Sequence, residues 1–129
     1  MVTKTSIVEI VKAVQARHGD DCRPIYELVL FVHPDKEMVS PSGKALGWPD
    51  TGGSYTPGFY YDIEDAIAAL NENACDIREA VYNAAFLICR FPGIYDEVGP
   101  ERRMYFVWNA DKEGYFQTEE PEIFRHITY

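Results

Sequence analysis

The chain has little of what ties small domains together covalently. Its 129 residues hold three cysteines, Cys22, Cys75 and Cys89, an odd number with no Cys-x-x-Cys pair. That argues against a disulfide framework and against a structural zinc site. Thiols of this kind usually pack as small buried hydrophobes. Histidine is equally scarce. His18, His33 and His126 are the only three, and none is paired at the i+2 or i+4 spacing of strand or helical zinc sites. No apolar run approaches the roughly 18 residues of a membrane span. The leading MVTKTSIVEIVKAVQ lacks the apolar stretch and small-residue cleavage site of a secretory signal. The expected setting is therefore cytoplasmic, without membrane contact.

Positive charge is also short. There are 12 Lys and Arg against 21 Asp and Glu, a net charge of −9. Through Ala45 six acids balance six bases, so the excess falls wholly in the remainder, with 15 acids against 6 bases. A net-acidic surface repels nucleic acid and anionic lipid, which disfavours direct DNA binding. It leaves open a basic protein partner, imitation of a phosphate backbone, or acidity that only confers solubility.

What is present is apolar mass. Hydrophobic residues make up 47% and aromatics 14%, enough for one core, and the length fits a single domain over residues 1–129. The organising stretch is Gly58–Arg90. Phe59-Tyr60-Tyr61 runs to Asp62, a helix N-cap, after which Ile63, Ala66, Ile67 and Leu70 recur at helical spacing to about Glu72. A second helical turn is expected over Asp76–Val81. Tyr82–Phe91 reads as a strand, with Ala84, Phe86, Ile88 and Arg90 on one face and Asn83, Ala85, Leu87 and Cys89 on the other.

Upstream, Ser6 with Glu9 has capping-box spacing, with Thr5 as another cap, and Ile7, Ile10, Val11 and Val14 form a helical stripe that Gly19 would stop. The β-branched cluster Ile7, Val8, Ile10, Val11 keeps a strand open for residues 6–17. Ile25–His33 is a strand apolar enough to be buried on both faces. Pro34–Gly58 is dense in proline and glycine and reads as a long irregular segment, of the kind that often carries function. Downstream, Arg103–Trp108 and Tyr115–Thr118 form a hairpin with Gly114 marking its turn. Ile123–Tyr129 closes the chain as a short helix or edge strand. The fold class is α+β: a mostly antiparallel sheet of about four strands, with two or three helices packed on one face.

The stretch DIEDAIAALNENACDIREAVYNAAFLICRFPGIY, followed by RMYFVWNADKEGYF, resembles small uncharacterised proteins of phages and mobile elements of Gram-positive gut bacteria, over about Gly58–Glu120. The resemblance implies an accessory role, with action against host defence as its setting. It carries no catalytic residues.

Two motifs fail on inspection. Trp48-Pro49-Asp50 matches the acid loop of tyrosine phosphatases, but that chemistry needs Cys-x5-Arg, and Leu28, Val81 and Tyr95 stand six residues after the three cysteines. Ser42-Gly43-Lys44 hints at a phosphate loop, yet Met38 occupies the required glycine. His33 with Asp35, or Cys89, would serve a small hydrolase or transferase, the alternative reading. The leading reading is a non-enzymatic binding protein without cofactor or metal. Its partner is either a basic protein or a small nucleotide. For the nucleotide, guanidinium groups of Arg102 and Arg103 would fork onto phosphate, and Trp48, Tyr95, Tyr105 and Trp108 would supply rings for the base. Self-association through Tyr105, Trp108 and Phe116 into a homo-oligomer is a further expectation.

Overall fold

The computed structural model describes residues 1–31, 38–39, 45–47, 55–72, 84–109 and 111–120. Its order begins with helix α1 (Lys4–His18) and strand β1 (Ile25–Phe31). Short strands β2 (Met38–Val39) and β3 (Ala45–Gly47) pair with each other. Then come β4 (Tyr55–Tyr60), α2 (Ile63–Asn71), β5 (Ala84–Arg90), a 3-10 turn (Pro100–Arg102), β6 (Arg103–Asn109) and β7 (Gly114–Thr118). The main sheet is antiparallel and five-stranded in the order β4-β1-β5-β6-β7. Five strands and two helices thus replace the expected four and two-or-three among the described residues. His33, Asp35, Trp48, Cys75, the turn expected over Asp76–Val81 and the closing Ile123–Tyr129 lie outside those residues.

The extra strand is β4, drawn mostly from the segment read as irregular. Tyr55, Thr56, Phe59 and Tyr60 are strand formers, and Pro57 is admissible because β4 is an edge strand. The pairing also slips there: Leu28 faces Gly58 while Leu30 faces Tyr55, which places Thr56 and Pro57 in a bulge. A proline-based exclusion of strand fails at an edge bulge, where no ladder donor is needed.

Residues 6–17 are helical, against the β-branched counter-signal, because the stripe gains a sheet to cover. The cap falls earlier than expected. Thr3 is the N-cap: its hydroxyl accepts from the Ser6 N–H at 3.1 Å, and the Ser6 hydroxyl accepts from the Thr3 N–H at 2.8 Å. Serine thus takes the place of glutamate in the reciprocal pair. Gly19 ends α1 at φ +99°, a value few other residues adopt. Asp62 caps α2 as read, accepting from Glu64 N–H at 2.8 Å. Asp62→Ala should lower stability by about 1 kcal/mol, measured by urea denaturation. In the β6–β7 turn, Glu113 at φ +51° takes the left-handed position, and Gly114 is already the first residue of β7.

Period-two alternation sorts the central strands into two cores. Leu28, Leu30, Ala85, Leu87, Cys89, Met104, Phe106 and Tyr115 face α1 and α2, meeting Ile7, Ala66 and Leu70. Val29, Ala84, Phe86, Ile88 and Tyr105 are buried on the opposite face. Register sets the pairs: Val29 beside Phe86, Phe86 beside Tyr105, with Phe86 and Tyr105 ring centroids 5.5 Å apart. Among the described residues, no helix is long and apolar enough to cross a membrane.

Candidate functional site

Arg102 and Arg103 are adjacent, and the start of a strand sends neighbouring side chains to opposite sides. The pair is therefore divided. Arg102 Nη1 makes an ion pair with Asp96 Oδ1, and the two side chains are only 11% and 10% exposed. Asp96 Oδ2 also accepts from the Phe91 N–H at 2.9 Å, and the guanidinium lies 5.4 Å over the Phe91 ring. The Arg102 group thus pins the loop after β5. Tyr95, 89% exposed, shares a cleft of about 450 Å³ with Arg102, and with Arg17 and His18 from the last turn of α1.

Arg103 points to the other side. Its guanidinium lies 5.9 Å over the Phe86 ring, and it lines a second cleft with Tyr105. Trp108 lines neither cleft. It meets Tyr115 edge-on at 5.3 Å and packs against the helix-covered core. Of the six residues picked from sequence, the structure brings together Arg102 with Tyr95, and Arg103 with Tyr105. It does not assemble one pocket from all of them, and Trp48 lies outside the described residues.

The larger cleft measures about 710 Å³. It opens where β7 ends and β6 runs on: Tyr105 faces Thr118, and Arg103 has no β7 partner. The first turns of α1, the 3-10 turn and the residues after β7 close its sides. Glu9, Glu101, Glu119 and Glu120 bring four carboxylates to it, against the guanidinium of Arg103. Tyr105 hydroxyl donates to Glu120 at 3.0 Å. Burial pushes this phenol up to about 12; hydrogen bonding to Arg103 opposes the rise, and Glu120 reinforces it. Among the described residues, Arg103 Nε is buried without a hydrogen-bond partner. The Met1 amine stands 3.5 Å from Glu119, and Glu9 meets Lys12 at 3.6 Å in an exposed pair. Sequence reasoning missed this convergence. The advance signals are the acid excess after Ala45 and, within it, the run Glu119-Glu120-Pro121-Glu122.

Cys89, weighed as a nucleophile, lines neither cleft and is buried. Burial pushes its thiol up to about 12, with Arg102 opposing and Asp96 adding. At neutral pH it stays protonated, the unreactive form. Among the described residues, no three His, Cys, Asp or Glu side chains group to hold a metal ion. No protein family, curated protein or solved structure matches this chain.

Proposed function

We propose that this is a non-enzymatic binding protein whose acidic side engages a basic protein, with counter-defence in a phage or mobile element as its setting. The observation that carries the reading is the larger cleft. Glu9, Glu101, Glu119 and Glu120 converge there from separate parts of the chain, on a protein of net charge −9. Such a surface steers a cationic partner and repels nucleic acid. The test is titration with a lysine-rich peptide at rising salt. Affinity should fall about tenfold between about 50 and 300 mM salt, as expected when exposed charges are screened. Replacing Glu101, Glu119 and Glu120 together by glutamine should weaken it by a similar factor. Salt-independent binding, or none, counts against the reading.

A nucleotide ligand is the second reading, and one observation favours it: the smaller cleft gathers Arg17, His18, Arg102 and Tyr95. Two features weigh against an anion there. Arg102 is already paired with Asp96, and the cleft adjoins the C-terminal, carbonyl end of α1, where the helix dipole favours cations. Arg17→Ala separates the readings. It should abolish nucleotide capture and leave the basic peptide bound.

A further inference from the structure

The outer side of β7 lies beside the larger cleft. β7 is the last strand of the sheet, so among the described residues no further strand pairs with that side. The register tells which groups lie there. Tyr115 N–H donates to Asn71 Oδ1 at 3.2 Å, so it is not bonded to β6. Trp108 and Tyr115 are therefore a non-hydrogen-bonded pair. Alternation then makes Val107 with Phe116, and Tyr105 with Thr118, the bonded pairs. Gln117, facing Phe106, must direct both its N–H and its C=O away from β6. No partner for either group occurs among the described residues, while the Gln117 side chain is tied back, donating to the Val2 carbonyl. A strand edge with an unmet donor and acceptor is a template for an added strand.

Charge says what kind of strand fits. Two residues beyond Gln117 the chain enters the cleft with Glu119 and Glu120, facing Glu9 and Glu101. A segment lying along β7 would carry its side chains, at alternate positions, into this acidic surround. An acidic segment would be repelled, and an apolar one would gain nothing from the carboxylates. We infer that the outer edge of β7 at Gln117 accepts an extended segment of another protein that bears lysine or arginine, with those cations entering the cleft beside it. This rests on the basic-partner reading above and adds to it the docking strand and the mode of binding.

The experiment uses the full chain and a synthetic peptide of alternating lysine and valine. Gln117→Pro removes the outward N–H but no bond of the ladder, and proline is tolerated on an open edge. Gln117→Ala is the control, because it also loses the Val2 contact but keeps the N–H. We expect Gln117→Ala to bind like the parent and Gln117→Pro to bind about tenfold or more weakly, the scale of one lost hydrogen bond together with steric exclusion. Amide hydrogen exchange of the parent gives an independent readout that does not depend on a variant folding. The Gln117 amide should exchange fast alone and about tenfold or more slowly with peptide, as for an amide newly held in a ladder. Equal binding by the two variants, or no added protection at Gln117, overturns the docking strand. If the peptide still binds in a salt-sensitive way, the basic-partner reading stands without it. Failure of the parent to bind, or equal affinity for an alternating glutamate–valine peptide, overturns both. Concentration-dependent dimerisation abolished by Gln117→Pro, with no peptide bound, assigns the edge to a second copy and overturns the inference.

Discussion

Arg102→Ala should destabilise the protein by about 3 kcal/mol, the low end of the cost of stranding one member of a buried ion pair, because this pair keeps a little exposure. Asp96 would then be left at 10% exposure without its ion-pair partner. The same carboxylate accepts the Phe91 N–H, so the loss reaches the end of β5 and the loop that follows. Asp96→Asn should cost less, because an amide oxygen can still receive that N–H. The double change to alanine at both positions should cost less than the two single changes summed, since neither charge is left stranded. Urea denaturation of the parent, Arg102→Ala, Asp96→Ala, Asp96→Asn and the double alanine variant measures this. A cost under about 1 kcal/mol for Arg102→Ala, the range of an exposed pair, would mean that the guanidinium is free for a ligand after all. The result also bears on function. A joint Arg102/Arg103 alanine variant would unfold part of the smaller cleft, so its loss of ligand would prove nothing about nucleotide binding, whereas Arg17→Ala leaves the ion pair intact.

Alkaline pH should unfold the protein over a defined window. Burial pushes Cys89 from 9.0 up to about 12, and Tyr26 and Tyr105 from 10.0 up to about 12. Each group is protonated in the folded state where the unfolded chain has already lost its proton. Between the two values the unfolded state binds fewer protons, so stability falls as pH rises. The contribution is complete below about pH 9 and is lost on the way to about pH 12. Each pH unit between the folded and unfolded values is worth at most about 1.4 kcal/mol, and the contributions overlap because Tyr26 and Cys89 repel one another when both are ionised. Denaturant midpoints measured from pH 8 upward should therefore drop steeply once pH passes 9. Cys89→Ala should show a shallower drop with an earlier-pH stability lowered by about 1 kcal/mol for the lost sulfur contacts. A profile flat to pH 11 would mean that these side chains reach water.

Sequence alone determined the elements whose signal is local. The two faces of β5 follow from alternation along Ala84–Arg90, since side chains in a strand can only point to opposite sides. Asp62 starts α2 because a carboxylate at that position meets an orphan N–H within its own turn. Gly19 ends α1 for a reason equally confined to one residue. β4 was not legible, because proline forbids a central strand but not an edge, and edge or centre is a property of the whole sheet. The helical state of residues 6–17 was likewise open until a sheet face stood opposite Ile7. The site depended most on tertiary structure. Arg102 and Arg103 are neighbours in sequence and part company in space, while Glu9 and Glu119 are separated by most of the chain and share one cleft. Charge and aromatic content are additive along a chain, so composition could indicate a binder. Which charges face one another, and which are already matched, depends on strand register and on where β7 stops.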